Sequence, residues 1–258
     1  RDVLGSRGLG DVYKRQLSSR SFIYVWDYAN YLLKQYDAEA AFAQSTGVGL
    51  RYLFGSMADD YTNFITLFTE FPFCLTDHTG DAYSFSQVFC ILPTLLVLLA
   101  GLVVKVGQLL NVKNRMYYFL FGMTLTAAYP FLRMSAVLAQ PDWFGLIFAF
   151  AILLLTLDFR FDTLEPVRFG LIFLATAAII LARRWFLYFV VGYYFAYALL
   201  LIAGCVRLAK GGEKAAALVR IKNLVLFGLA SVAAMVILLW PMVSHILTYN
   251  LSLIHISE

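Results

Sequence analysis

Two groups of acidic residues near the start of the chain carry side chains suited to proton transfer. Asp27 stands in the sequence WDYANY, and Asp59 and Asp60 open the sequence DDYTNF. Each group begins a segment with helical periodicity, among aromatic residues that lower the local dielectric. A carboxyl group in such surroundings can have a raised pKa and act as a general base on a hydroxyl or amine. The alternative is structural, because aspartate is also a favoured helix N-cap.

Three arginines, Arg133, Arg183 and Arg184, supply the complementary charge. A guanidinium group matches phosphate oxygens in a bidentate fork, so an anionic lipid head group is the natural partner. The alternative is that these side chains only extend towards the phosphates of surrounding phospholipids.

Asp142, in the sequence QPDWF, is a further candidate. It either caps the helix that follows Pro141 or contacts a substrate or metal at the rim of the site. The cysteines, Cys74, Cys90 and Cys205, are far apart and form no CxxC pair or His/Cys cluster. We therefore predict neither a disulfide framework nor a zinc site, and expect all three cysteines to be buried in apolar surroundings.

The composition excludes a soluble globular domain. Of 258 residues, 61% are hydrophobic and only 14% are charged, whereas about a quarter are charged in soluble proteins. No P-loop, Rossmann fingerprint, GxSxG or HExxH motif occurs. The net charge of +4 reflects membrane topology and predicts no nucleic-acid partner. The chain is thus predicted to be an all-α, polytopic transmembrane protein.

Six apolar stretches are predicted to cross the membrane. They are residues 83–104, 116–138, 143–157, 169–182, 185–206 and 223–247. The third and fourth are short, but the segment 158–169 between them carries five charges and should reach water. We interpret the pair as two thin crossings and not as a re-entrant hairpin.

The loops predict a multi-pass orientation in the cell membrane. Residues 105–115 hold three basic residues and no acid, and residues 207–222 hold five basic residues and one acid. Both loops should therefore be cytoplasmic. Residues 17–82, here called the outer segment, and the turn at Arg183 then lie on the extracytoplasmic face.

The outer segment shows two amphipathic patterns. The first predicts a helix over residues 29–43, with its apolar face formed by Ala29, Leu32, Leu33, Tyr36, Ala40 and Ala43. The second covers residues 61–68 and should end before Pro72. Helices of this kind lie in the membrane interface.

Both ends of the chain resemble translated sequencing-adapter DNA. Residues 1–16 end in DVYKRQ, and residues 252–258 read SLIHISE. We expect neither end to belong to the fold. The remainder then consists of the outer segment and a transmembrane domain over residues 83–251. That remainder would be a fragment truncated on both sides.

Four motifs occur in a characteristic order, namely WDYANY at Trp26, DDYTNF at Asp59, QPDWFGLIF at Gln140 and ARRWFLYFVVGYY at Ala182. Their order and membrane placement resemble the C-type glycosyltransferase superfamily (GT-C), and most closely the family 39-like glycosyltransferases of Gram-positive anaerobes. The resemblance implies the membrane half of an enzyme that takes a sugar from a polyprenyl phosphate or pyrophosphate donor. The acceptor would be a glycan, a lipid or a protein of the bacterial cell envelope.

The same resemblance implies roles for single residues. Asp27 would be the general base, and Asp59 or Asp60 would orient the acceptor or a metal. Arg183 and Arg184, which match no motif common to the superfamily, would hold the lipid phosphate. Some branches require a divalent metal ion, Mg or Mn, and others use no cofactor.

Two other functions fit the many crossings. A transporter or flippase of lipid-linked glycans would place ionisable residues near the membrane midplane, and it leaves the acidic outer segment unexplained. A non-catalytic membrane scaffold subunit is the third interpretation.

Overall fold

The computed structural model describes residues 27–59, 62–128, 142–245 and 248. These residues form helices and connecting turns without any strand, which confirms the all-α class for this part of the chain. The helices are α1 (Asp27–Gln44), α2 (Thr46–Gly55), α3 (Thr66–Phe73), α4 (Gly80–Leu109), α5 (Arg115–Ala128), α6 (Asp142–Thr156), α7 (Pro166–Ala182), α8 (Phe186–Lys210) and α9 (Lys214–Leu238). The expectations for residues 1–16 and 252–258 lie outside the described residues.

Two of these helices start with an N-cap formed by a side chain. The Ser45 hydroxyl accepts a hydrogen bond from the Val48 amide (3.2 Å) at the start of α2. The Thr79 hydroxyl accepts one from the Ala82 amide (3.2 Å) at the start of α4. Each cap satisfies an amide that has no partner within the helix, so the start of α4 is fixed where the outer segment meets the bundle.

Helix α1 confirms the amphipathic helix predicted near residue 29, and a different face of this helix packs against the rest of the protein. The residues of α1 that pack inward are Tyr31, Gln35, Ala38 and Ala41. Leu33, on the apolar face predicted to lie in the membrane interface, is 61% exposed, whereas Gln35 is fully buried. The side-chain amide of Gln35 donates to Glu70 (2.5 Å) and accepts from Thr69 (2.6 Å). A polar side chain with both partners can be buried, which an apolar stripe does not reveal.

The second predicted helix begins as a 3₁₀ turn, Asn63–Ile65, and continues as α3. Its predicted end before Pro72 is wrong, because α3 includes Pro72 and ends one residue later. Proline lacks the amide that would reach the carbonyl four residues back, that of Phe68. The Cys90 thiol donates to this carbonyl instead (2.9 Å).

Three helices, α4, α8 and α9, are long and apolar enough to cross a membrane. They contain 30, 25 and 25 residues, and about 20 residues span the hydrocarbon core. Helices α6 and α7 have 15 and 17 residues, or roughly 22 and 25 Å, and form the short pair that the sequence predicted. The predicted stretch 116–138 is described only as far as Ala128, as α5. The three long apolar helices fit a membrane protein.

The hairpin of α8 and α9 corrects the predicted loop over residues 207–222. Helix α8 continues to Lys210 and α9 already begins at Lys214, which leaves a three-residue turn. Gly212 has a φ of +94° in this turn, a conformation that favours glycine. The helices extend into the basic region because cations such as Arg207 are stabilised in the last turn of a helix.

Helix α4 organises the packing, since α3, α5 and α6 all contact it. It approaches α5 closely, since a methyl group on Gly122 would lie 3.0 Å from the Cα atom of Ala100. Small residues allow helix backbones to approach closely in this way. Helices α6 and α7 form a second packed pair, and α8 and α9 a third.

The loop over residues 157–165 connects α6 to α7 and forms ion pairs with residues of α4 and α9. Lys105 of α4 pairs with Asp158 of this loop (2.5 Å). Arg220 of α9 pairs with Asp162 through two nitrogens. The two basic loops of the sequence therefore lie at the same end of the bundle, here called the basic end. The opposite end, where the outer segment packs, is called the acidic end.

The three cysteines differ in exposure. Cys205 is buried and Cys90 is partly buried, but Cys74 is exposed, so the expectation that all three are buried is wrong. Cys74 follows the last residue of α3, and its thiol donates to the Phe71 carbonyl (3.0 Å). All three are free thiols.

Candidate functional site at the acidic end

The second acidic motif lies between α2 and the last turn of α7. Asp59 is exposed and follows a 3₁₀ turn, Ser56–Ala58. Three residues later, the Thr62 hydroxyl donates to the Leu181 carbonyl of α7. This hydrogen bond joins two segments that are 119 residues apart. It brings the motif within two residues of the predicted arginine pair.

Lys34 of α1 also contacts the second acidic motif. Its ammonium group donates to the Asn63 side-chain oxygen (2.5 Å). Burial lowers the pKa of Lys34, while the charges of Asp59 and Asp37 act in the opposite direction. The Tyr52 hydroxyl donates to the Lys34 carbonyl (3.1 Å), and burial raises the pKa of Tyr52 to about 12. A partly buried cation thus lies close enough to feel the charge of Asp59.

Arg183 and Arg184 begin the turn that connects α7 to α8, here called the arginine turn (residues 183–185). Arg183 has extended backbone angles, and its amide still donates to the Ile179 carbonyl (3.3 Å). Its carbonyl accepts from the Phe186 amide (3.0 Å). Both arginines are half-buried. These hydrogen bonds fix the backbone of the turn. They thereby fix the positions from which the side chains of Arg183 and Arg184 extend.

The start of α6 packs directly against the start of α8. Asp142 is the first residue of α6, and Gly145 follows within the first turn. A methyl group on Gly145 would lie 2.0 Å from the Phe186 ring, so only glycine permits this contact. The start of α6 and the arginine turn are therefore neighbours.

The start of α1 belongs to the same region. Asp27 is the first residue of α1, and Tyr31 follows one turn later. Tyr31 is 1% exposed and belongs to one buried cluster with Ile65, Phe144 and Ala182. The starts of α1 and α6, the second acidic motif and the arginine turn thus converge at the acidic end.

An apolar crevice of about 400 Å³ opens between α7, α8 and α9. Ile180 and Leu187, which flank the arginine turn in sequence, both line it. Farther along, its lining includes Phe227, Val232 and Met235 of α9. The crevice is elongated along apolar helices and suits a hydrocarbon chain.

No family model, curated protein or solved structure matches this chain. The site therefore has to be interpreted from its own geometry.

The predicted site residues differ in how far the structure describes them. Side chains are described for Asp59, Arg183 and Arg184, and the backbone alone for Asp27 and Asp142. Asp60 and Arg133 lie outside the described residues. Within the described part of the chain, no group of three His, Cys, Asp or Glu side chains could hold a metal ion. We assign no described residue to Mg or Mn.

Sequence reasoning missed a polar network next to the acidic motif. Glu70 accepts from Gln35 and lies near Glu39 and His78, and burial followed by the charge of Glu39 raises its pKa to about 6. The hydrogen bond from Gln35 and the charge of His78 oppose this shift. A carboxyl group with such a pKa can exchange a proton near neutral pH. The only signal in the sequence was a set of polar residues at helical spacing, which is also typical of a solvated face.

The turn before α4 contributes the rest of this network. His78 has a φ of 58°, which is uncommon for a residue with a side chain. Its ring nitrogen Nδ1 lies 2.6 Å from a Glu39 carboxylate oxygen, and its carbonyl accepts from the Tyr36 hydroxyl (2.5 Å). These contacts hold α1 against the beginning of α4.

The aromatic stripe on α8 takes part in packing. The rings of Tyr193 and Tyr197 stack with centroids 6.0 Å apart. The Tyr194 hydroxyl lies 2.6 Å from the Thr176 hydroxyl, and the Tyr197 hydroxyl donates to the Phe159 carbonyl (2.6 Å). We therefore assign none of these rings to sugar stacking.

Proposed function

We propose that this chain transfers a sugar from a polyprenyl phosphate or pyrophosphate donor to an acceptor at the extracytoplasmic face of a membrane. The observation that carries the proposal is the convergence at the acidic end. The starts of α1 and α6, the second acidic motif and the arginine turn lie together there beside an apolar crevice. Such a combination matches a substrate that has a charged phosphate, a reacting sugar and a long hydrocarbon chain.

The transfer needs one base and one cationic clamp. The acceptor hydroxyl attacks the anomeric carbon while Asp27 takes its proton. The bond from that carbon to the phosphate oxygen breaks, and the electron pair leaves with the phosphate. Arg183 and Arg184 stabilise the negative charge that develops there. Asp59 and Asp60 orient the acceptor.

The crevice supports the lipid part of the donor. With the phosphate at the arginine turn, the first prenyl units lie between Ile180 and Leu187 and continue along α9. Fixing the chain in this way restricts the position of the anomeric carbon and favours attack.

The proposal includes six crossings with the acidic end outside. The ion pairs of Asp158 with Lys105 and of Asp162 with Arg220 support it, because they place the end of α6 beside the basic helix ends. At the other end of the short pair, Ala182 of α7 packs with Tyr83 near the start of α4. Helices α6 and α7, at roughly 22 and 25 Å, would cross with local thinning of the membrane and with polar side chains extending from their ends to the interface.

The test uses the chain in lipid nanodiscs and a panel of polyprenyl phosphate sugars labelled in the sugar. We expect the parent chain to release polyprenyl phosphate and to transfer label to an added acceptor. D27N should abolish release without changing folding, because no base then accepts the proton. D37N, which removes an exposed carboxylate from the same helix, is the matched control and should retain activity.

The double variant R183Q/R184Q tests the clamp separately. It should raise the donor concentration needed for half-maximal rate more than the acceptor concentration, roughly tenfold or more for two lost charge-assisted contacts. Unchanged donor dependence would remove the arginines from the phosphate site. Movement of intact donor across the bilayer without release of polyprenyl phosphate would instead identify a flippase.

A further inference from the structure

A second cleft lies at the basic end, at the opposite end of the bundle from the arginine turn. Its volume is about 720 Å³, and it is bounded by the end of α6, by α8 and by the first turns of α9. Apolar side chains, among them Leu157, Leu200 and Leu201, form part of its wall. Three arginines line it as well, namely Arg160, Arg207 and Arg220. An apolar wall beside several guanidinium groups is the chemistry of a site for an anionic amphiphile.

The charges of this cleft are not balanced within the protein. Arg220 is paired with Asp162. Arg160 and Arg207 are both exposed, and neither side chain makes a hydrogen bond or ion pair with any residue in the described part of the chain. Among the described lining residues, Glu213 is the one carboxylate. Two guanidinium groups therefore remain available to an external anion.

The geometry of α8 explains why the cleft is open. Gly204 lines it, and a Cβ atom built at Gly204 would meet nothing within 4 Å. Arg207 lies one turn further on, so it projects on the same side of α8 as Gly204. Helix α8 thus presents a bare backbone to the cleft and a cation at its edge.

We propose that this cleft binds one anionic phospholipid from the surrounding membrane. Its phosphate lies between Arg160 and Arg207, where the guanidinium groups donate paired hydrogen bonds to the phosphate oxygens. One acyl chain lies against Leu157, Leu200 and Leu201. An anionic lipid is favoured over a zwitterionic one because the ammonium group of the latter offsets the charge of its own phosphate. The proposed phosphate position lies at the opposite end of the bundle from the arginine turn, so this proposal does not rest on sugar transfer.

The experiment compares spin-labelled phosphatidylglycerol with spin-labelled phosphatidylcholine around the full chain in phosphatidylcholine nanodiscs. The immobilised fraction of each label gives the lipid preference. We expect the parent chain to prefer phosphatidylglycerol, and R160Q/R207Q to lower that preference roughly tenfold. The variant G204L fills the cleft without changing any charge, and it should lower the preference to a similar extent.

The matched control is K113Q/R115Q, which removes two positive charges from the same end of the bundle but outside the cleft. It should change the preference by less than about twofold, because exposed charges are screened by salt. An equal loss in this control would overturn the proposal in favour of diffuse attraction. An unchanged preference in R160Q/R207Q or in G204L would overturn it as well. Displacement of the lipid by excess inorganic phosphate would identify a site for free phosphate and not for a lipid.

Discussion

One residue, Glu70, makes the stability of the outer segment depend on pH. Its pKa is 4.5 in an unstructured chain and about 6 in the folded protein. Between these values the folded state binds more protons than the unfolded state. The free energy of unfolding therefore falls as the pH rises from about 4.5 to 6, and the full penalty for the buried charge applies above that window.

Replacing Glu70 by Gln should remove this penalty. The side-chain amide of Gln35 can still donate to the new carbonyl oxygen, so the contact between α1 and α3 is retained. We expect E70Q to be more stable than the parent by about 1 kcal/mol at pH 8, after discounting for solvent screening, and equally stable at pH 4. Thermal unfolding in detergent between these pH values measures the difference.

The control for this prediction is E213Q, which removes an exposed carboxyl group at the basic end. It should leave the pH dependence of stability as in the parent. If E70Q and the parent gave parallel profiles, Glu70 would not be the group that titrates.

Asp59 and Glu70 show what can be predicted for single residues. Asp59 could be selected from the sequence because it stands in a short acidic motif before a helical pattern. Glu70 could not, since its pKa is raised by burial and then by the charge of Glu39, which is more than thirty residues away. Contacts over such distances follow from the packing of α1 on α3, and one sequence does not specify them.

The helices differ in how well their buried faces could be predicted. In α1, apolarity indicates Leu33, whereas packing buries Gln35. In α5, the residues buried in the protein are Gly122 and Thr126, and larger apolar side chains such as Leu125 are exposed. A membrane helix can present its most apolar side to lipid, so hydrophobicity indicates that it crosses but not which side contacts its neighbours.

The contact between α4 and α5 leaves no room for a side chain at Gly122. A valine there would place its Cβ atom 3.0 Å from the backbone of Ala100, and the helix backbones would have to separate. We expect G122V to lower the free energy of unfolding by about 1–3 kcal/mol, the usual cost of overpacking. Thermal unfolding in detergent is again the measurement.

The matched control is G192V on α8, where a Cβ atom would meet nothing within 4 Å. This variant carries the same change in helix propensity without the clash. Equal losses in G122V and G192V would show that propensity, and not the contact between α4 and α5, determines the effect.

The whole molecule has two chemically different ends. Trp143, Trp185 and Trp240 lie near helix ends at the acidic end, as expected for residues at a membrane interface. Lysines and arginines collect at the other end, where Lys105 and Arg220 contact one loop. This polarity follows from interfacial preferences and positive-inside bias, which act on residue types, and so the sequence alone was sufficient to predict it.

The boundaries of the crossings were harder to predict than their order. Helix α9 begins at Lys214, whereas the apolar pattern begins near Asn223. Hydrogen bonding continues a helix beyond the hydrocarbon region, so its end is set by a turn such as that at Gly212 and not by the last apolar residue.

Single cysteines can test the orientation and the short pair of crossings together. The native cysteines are replaced by alanine, and one new cysteine is placed at Gln44, Lys113 or Thr163, all exposed positions. With the acidic end outside, a membrane-impermeant maleimide should label Q44C in intact cells, but K113C only after permeabilisation. T163C, in the loop between α6 and α7, should behave like K113C, because the ion pair of Asp158 with Lys105 places both at one end. Absence of labelling at T163C even after permeabilisation would make α6 and α7 a re-entrant hairpin whose tip stays within the membrane. Labelling of K113C but not of Q44C in intact cells would invert the protein and place the proposed site in the cytoplasm.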